Sequence, residues 1–257
     1  MFVKICGVAR REDAIASAEA GADAIGLNFI PESSRRVSIE TARTILDQSP
    51  PSLMTVGVFR GHTIEQVVST VDLLDLDAVQ LHEASPELLE AVAAVAPFTI
   101  LALESGSHAS ASAVSSRVDA VLLDGPEPGS GTTFDWDTIG DLTARDQVLL
   151  AGGLHPGNVA DAVRRARPWG VDVATGVESS PGIKDQNAVA RFVDAARSVV
   201  QSWYAMLTSR SINASLQTSP PTSDLRWPYS VKTAPPPSRI ASLRKTHPLS
   251  PSMTMPA

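Results

Sequence analysis

Along the first 200 positions, short runs of apolar and β-branched residues alternate with longer stretches whose apolar side chains fall three and four apart. The short runs cover residues 2–6, 24–29, 54–59, 78–81, 99–103, 120–123, 148–151 and 171–174. They are continuous rather than strictly alternating, as expected of parallel strands covered on both faces. The stretches between them predict helices over 11–20, 39–46, 63–71, 86–96, 156–166 and 187–200. In the first of these, Ala14, Ile15 and Ala18 share one face. Thr63 and Ser85 are placed as N-caps, and Pro86 stands at a first helical position. The stretch 107–117 is rich in Ser and predicts a short or irregular connection instead of a helix.

Eight strand–helix units in about 200 residues predict a compact (β/α)8 TIM barrel spanning residues 1–202. A doubly wound open sheet uses the same alternation, and periodicity alone does not separate the two. Residues 203–257 differ in character. They hold nine of the 19 prolines, many Ser and Thr, and no sustained apolar period. That composition predicts a disordered C-terminal tail.

Composition then narrows the function classes. The formal charge of −7 is unevenly spread: one acidic and six basic residues follow Ser202, so the first 202 residues carry about −12. An acidic body argues against nucleic-acid binding. No apolar run approaches the roughly 20 residues of a membrane span. One cysteine cannot form an internal disulfide. Taken with an N-terminus that lacks the pattern of a secretory signal, this predicts the cytoplasm. The five histidines lack metal-ligand spacing, and no Walker loop or G-x-G-x-x-G follows the first strand.

In a parallel barrel the active site lies at the C-terminal ends of the strands. The residues to inspect are therefore Cys6-Gly7 after the first run, Asn28 with Arg35 and Arg36 after the second, and Gln80-Leu81-His82 at the fourth. Asp124-Gly125, Gly152-Gly153 and Thr175-Gly176 follow the sixth, seventh and eighth. Glycine after strands 7 and 8 lets the backbone approach a ligand, and loops there are the usual phosphate site of this fold. Tight turns without a ligand would also use glycine. Cys6 and Asp124 lie on the first and sixth strands of an eight-membered ring, so a ligand across the mouth would sit between a thiol and a carboxyl. Read singly, Cys6 is better taken as a buried inert thiol and Asp124 as a helix cap.

Ordered blocks resolve some of this ambiguity. Lys4-Ile5-Cys6-Gly7, Val56-Gly57-Val58-Phe59, Val79-Gln80-Leu81-His82, Leu122-Leu123-Asp124 and Gly129-Ser130-Gly131 through Trp136 resemble the phosphoribosylanthranilate isomerases. So do Leu150-Ala151-Gly152-Gly153-Leu154, Pro156-Gly157-Asn158-Val159, Gly170-Val171-Asp172-Val173 and Gly176-Val177-Glu178 through Asp185. The blocks run in order from about residue 2 to residue 200.

The resemblance implies an isomerase of tryptophan biosynthesis. Its reaction is the Amadori rearrangement of N-(5′-phosphoribosyl)anthranilate to 1-(2-carboxyphenylamino)-1-deoxyribulose 5-phosphate, by proton transfers that need no cofactor. It implies Cys6 as general base, Asp124 as general acid and Arg35 as partner of the anthranilate carboxylate. The backbone at Gly153 and Gly176 becomes the phosphate cradle, Asp172 a holder of the ribose hydroxyls, and His82, Gly152 and Thr175 further substrate-binding residues. The expected partner is this small phosphosugar substrate, with the protein a monomer or homodimer. A thiolate base needs a pKa below the free value of about 8.5, and Lys4 and helix N-termini are the expected sources of that lowering.

The chain departs from the family pattern at Ser34, where proline is usual, at Glu83, where glycine is usual, and in the tail. The missing proline predicts a looser loop around Arg35. Two other readings remain at this level: another sugar-phosphate enzyme on the same scaffold, and an impaired relative. An indole-glycerol-phosphate type of site would want catalytic lysines, and Lys4 and Lys184 are the only lysines before the tail.

Overall fold

The computed structural model describes residues 1–104, 118–125, 136 and 147–214, with side chains described no further than residue 202. The stretch 107–117, the Gly129–Gly131 loop and residues beyond 214 lie outside the described residues.

The eight predicted strands are β1 (Phe2–Cys6), β2 (Ala24–Asn28), β3 (Met54–Arg60), β4 (Ala78–His82), β5 (Thr99–Glu104), β6 (Ala120–Asp124), β7 (Val148–Leu150) and β8 (Gly170–Val173). They pair in sequence order, all parallel, and β8 closes on β1. The open sheet is thereby excluded. The helices are α1 (Arg11–Glu19), α2 (Ile39–Leu46), α3 (Ile64–Leu74), α4 (Pro86–Ala93), α5 (Val159–Ala166) and α6 (Gln186–Ala214). Among the described residues, no helix is long and apolar enough to cross a membrane.

Alternation on β1 shows how the barrel wall works. Val3 and Ile5 join the large core between strands and helices. Phe2, in contrast, joins Ala24, Val56, Ile100, Leu122 and Leu149 in a second core cluster. There Phe2 stacks on Trp169 with ring centroids 4.5 Å apart. Cys6 closes the column in a third cluster with Ile30 and Val58. Such layered filling makes the interior a packed core and leaves the rim for chemistry.

Local rules fix most helix starts. Thr63 caps α3 through a full capping box with Gln66, and the Ser85 side chain accepts from the Leu88 N–H with Pro86 at the first position of α4. Three expectations need correction. The buried face of α1 is Asp13, Ala14 and Ser17 rather than Ala14, Ile15 and Ala18. The Asp13 carboxylate accepts from Arg10 at 2.7 and 3.0 Å and from the Lys184 N–H at 3.2 Å, so polar ties outweigh the apolar stripe. Helix α5 starts at Val159, not Pro156, because residues 155–158 form a turn in which the Asn158 N–H donates to the His155 carbonyl. Helix α6 continues past residue 200 to Ala214. The loop after β8 also carries elements that apolar patterning did not signal. They are a 3-10 turn (Thr175–Val177) and a hairpin of β9 (Glu178–Ser180) and β10 (Ile183–Lys184).

Candidate active site

At the rim of β1, Cys6 is buried beside Lys4, which is itself wholly buried and bound to Asp172 of β8 at 2.8 Å. Lys4 and Asp172 are register partners on adjacent strands, so the barrel closure itself brings them together. Burial works against the Lys4 charge, but Asp172 and Cys6 outweigh it and hold the ammonium pKa above its ordinary value. The glycine opposite Cys6 on β2 is what leaves room. A Cβ on Gly26 would lie 2.9 Å from the Cys6 Sγ and 3.2 Å from the Lys4 Nζ. The expected lowering of the Cys6 pKa is not what this arrangement produces. Burial pushes the thiol up, with Lys4 and Lys184 pulling it down and Asp172 opposing them. Lys4 acts in the expected direction, but its charge is already engaged by Asp172.

Arg35, on the loop after β2, lies close enough to the same thiol for the two groups to interact electrostatically. Its stem crosses Gly7, whose φ of +70° and lack of a Cβ are both required there, since a Cβ would collide with the Arg35 Cδ. The Arg35 Nε and Nη2 donate to the two carboxylate oxygens of Glu178, each at 2.8 Å, and Nη2 also donates to the Thr175 hydroxyl at 2.9 Å. Lys184 donates to the same Glu178 oxygen as the Arg35 Nε, at 3.0 Å, and to the Ala174 carbonyl at 3.1 Å. Burial alone would raise the Glu178 pKa; Arg35 and Lys184 outweigh it and hold the carboxylate ionised. The loop that lacks the family proline is tied by its own hydrogen bonds. The Val37 N–H reaches the Asn28 carbonyl at 2.9 Å, and the Arg35 N–H reaches the Ser33 hydroxyl at 3.1 Å.

His82 ends β4 next to a buried Gln80, their side-chain nitrogens 2.9 Å apart. Burial, with Lys4 and Arg60 nearby, pushes the imidazole down to about 4, so it is neutral at physiological pH. If the Gln80 amide nitrogen donates to the His82 Nε2, the ring proton sits on Nδ1. Asp124 ends β6 at the rim, one carboxylate oxygen accepting from the Gly125 N–H at 2.8 Å.

Two of the three glycines expected at the phosphate site take left-handed backbone. Gly152 and Gly153 have φ of +78° and +63°. A Cβ on Gly152 would clash with the Gly125 backbone, and one on Gly176 with the Leu154 carbonyl. The loops after β6, β7 and β8 therefore touch backbone to backbone. The Asn158 side chain fastens the β7 loop by donating to the Gly153 carbonyl at 2.9 Å and accepting from the His155 N–H at 2.8 Å. The Gly153 N–H meets no acceptor among the described residues. Among those residues there is also no cluster of three or more His, Cys, Asp or Glu arranged to hold a metal.

Residues 3–195 match the family described as N-(5′-phosphoribosyl)anthranilate (PRA) isomerase. The chain belongs to this family. An N-(5′-phosphoribosyl)anthranilate isomerase of Myxococcus xanthus is 44% identical over 204 residues, covering 77% of this chain and 96% of the relative. The phosphoribosyl anthranilate isomerase of Thermus thermophilus superposes with a TM-score of 0.73 at 36% identity, over 77% of this chain and all of that one. A further phosphoribosyl anthranilate isomerase, solved in complex with reduced 1-(o-carboxyphenylamino)-1-deoxyribulose 5-phosphate, has a TM-score of 0.70 at 36% identity, over 77% of this chain and 99% of that one.

Within this isomerase family member, the rim brings Cys6, Arg35 and Thr175 into one polar cluster with Lys4, Asp172, Glu178 and Lys184. Asp124 and the Gly152–Gly153 turn meet at the adjoining β6–β7 edge. Sequence reasoning did not assign a role to Glu178 or foresee the Lys4–Asp172 pair. A usable signal existed: Glu178 and Lys184 are charged residues inside an ordered motif block at a barrel rim, where a purely structural loop would not need them.

Proposed function

We propose that Cys6 and Asp124 carry out the Amadori rearrangement of N-(5′-phosphoribosyl)anthranilate as base and acid. The family is one of isomerases of tryptophan biosynthesis, and the chain is an isomerase of that pathway. The Asp124 carboxyl protonates the furanose ring oxygen, and the C1′–O bond breaks as the nitrogen lone pair forms a protonated Schiff base. Cys6, as thiolate, then takes the proton from C2′, and those electrons neutralise the iminium to give the enolamine. Tautomerisation gives the C2′ ketone, with the nitrogen now on a methylene carbon. Atoms and electrons balance without an oxidant: Asp124 and Cys6 carry the first two proton transfers, and tautomerisation moves a proton from the C2′ hydroxyl to C1′.

Supporting this reading, Arg35 presents a guanidinium beside Cys6 for the aryl carboxylate, and the Gly153 turn offers phosphate an N–H that meets no acceptor among the described residues. Asp172, with one oxygen on Lys4, has a second for the ribose hydroxyls. His82 binds as a neutral ring, and Gly152, Thr175 and Gly176 shape the phosphate end. The protein works as a cytoplasmic monomer or homodimer on this small substrate, and not on nucleic acid. The observation that carries the proposal is the rim position of Cys6 and Asp124 on strands 1 and 6 of a closed barrel of this family.

The test is the loss of fluorescence of enzymatically generated phosphoribosylanthranilate. Wild-type protein should catalyse it, and Asp124→Asn, which keeps shape but loses the transferable proton, should lower kcat about 10²–10⁴-fold. An Asp124→Asn protein with near-normal kcat would remove Asp124 from the mechanism.

A further inference from the structure

Arg35, the residue read as partner of the substrate carboxylate, already has a carboxylate on it. Glu178 takes its Nε and Nη2 edge with two bonds of 2.8 Å, and Thr175 takes the remaining Nη2 proton. The two Nη1 protons meet no acceptor among the described residues. Glu178 is not a mobile surface side chain that would step aside for substrate. Its side chain is only 4% exposed. Its Oε1 accepts from the Arg35 Nε, from Lys184 at 3.0 Å and from the Gly182 N–H at 3.2 Å. Lys184 is in turn sealed between Glu178 and the Ala174 carbonyl. The hairpin turn carrying Gly182 packs against the Ser34 carbonyl, where a Cβ on Gly182 would lie 3.4 Å away. The β8 hairpin therefore grips the β2 loop through backbone and side chain together.

We propose that Glu178 is a positioning residue that clamps Arg35 so that only its Nη1 end faces the aryl carboxylate, with Lys184 neutralising the clamp. The proposal rests on the reading of Arg35 as the partner of that carboxylate. Two cations and one anion leave a net positive charge at this end of the mouth, suited to an anionic substrate. A lone arginine on a loop would lose several rotamers on binding; a clamped one has lost them already. The clamp also ties the loop around Ser34 to the β8 hairpin through a side chain.

The direction of the effect separates this role from plain electrostatics. Glu178→Gln removes a negative charge beside an anionic substrate, so a purely Coulombic role predicts a lower KM. Positioning predicts the opposite. KM for phosphoribosylanthranilate should rise about tenfold or more with kcat changed less than about threefold, as for lost binding that is equal in ground and transition states. In the Arg35→Ala background the same substitution should change KM less than about twofold, because there is no guanidinium left to hold. Glu178→Asp keeps the charge but shortens the reach; it is the second variant if Gln yields little folded protein by circular dichroism, and KM should rise for it too. An unchanged or lowered KM in the folded Glu178 variants, or penalties that multiply in the double variant, would overturn the proposal. If Arg35→Ala itself leaves KM unchanged, the carboxylate reading of Arg35 fails, and the clamp falls with it. If Arg35→Ala raises KM and Glu178→Gln does not, the clamp alone fails.

Discussion

Cys6 shows how far a nomination from sequence reaches: it places the residue at the rim but does not fix its ionisation. Its place after the first strand, within Lys-Ile-Cys-Gly, is enough to nominate it. Its ionisation is not, because that depends on what faces it across the barrel. Lys4 is next but one in sequence and on the same column, so a lowered pKa is the natural expectation; Asp172, 168 residues away in the chain, takes up much of that charge. Burial then pushes the thiol above its ordinary value. For an acid whose folded pKa is raised, the reactive thiolate is scarce below that pKa and grows tenfold per pH unit toward it. The kcat/KM profile, which reports the free enzyme, should therefore still be rising at about pH 8.5, the free thiol value. Replacing Cys6 with Ala should abolish this limb and cut kcat about 10²–10⁴-fold with the fold intact. A profile flat from neutral pH upward would show that the titrating group is not this thiol. Glu83, where the family pattern has glycine, is equally instructive. Its φ of +52° explains the glycine, and its side chain turns outward toward Arg60 at 3.9 Å, so its charge points away from the buried cluster.

At the level of elements, the strands are readable almost to the residue, because in a chain of alternating units little besides a covered strand produces a short continuous apolar run. The β8 hairpin is not, since β9 and β10 are short, polar and held by Glu178 and Lys184 rather than by an apolar face. A repeat at the opposite face of the barrel carries a signal that apolar patterning passes over. Asp23-Ala24, Asp77-Ala78 and Asp119-Ala120 each open an even-numbered strand. In each the Asp carboxylate accepts from a backbone N–H of the strand before it, from Val3 at 2.7 Å, Thr55 at 2.9 Å and Thr99 at 2.8 Å. Each Asp N–H also donates to the carbonyl of that same residue. These clasps sit at the N-terminal face, where a barrel keeps its stability and not its chemistry. Asp77 is the most buried and also accepts from the Thr55 hydroxyl at 2.7 Å. Asp77→Ala strands a buried N–H and hydroxyl, which should destabilise by about 2–3 kcal/mol. For a domain of this size that lowers Tm by roughly 5–10 °C. Calorimetry and the fluorescence assay together check it: a fall in kcat without a fall in Tm would contradict a purely structural clasp.

For the whole molecule, the question is where the working unit stops. The family match ends at residue 195, and about 77% of this chain covers nearly all of the Myxococcus xanthus and Thermus thermophilus relatives. Helix α6 gives a physical reason. Up to residue 202 its buried positions are Ala188, Val189, Phe192, Val193, Ala196 and Val199, an i, i+3/i+4 stripe that packs on the barrel. Gln201 and Ser202 are exposed, although the helix itself runs on to Ala214. A cut at 202 would sever a continuous helix, whose backbone bonds lend support across several residues, so the better boundary is Ala214. The segment beyond it carries, by composition, nine prolines in 43 residues with no apolar period. Ordering such a segment costs about 1–2 kcal/mol per residue in backbone entropy alone, and it offers little apolar surface to offset that cost. A 1–214 protein should therefore keep its Tm within about 2 °C, a shift corresponding to under 1 kcal/mol, and its kcat/KM within about twofold. A larger loss of Tm would mean that the tail docks on the barrel; a larger change in kcat/KM at constant Tm would mean that it reaches the rim that carries Cys6, Arg35 and Asp124.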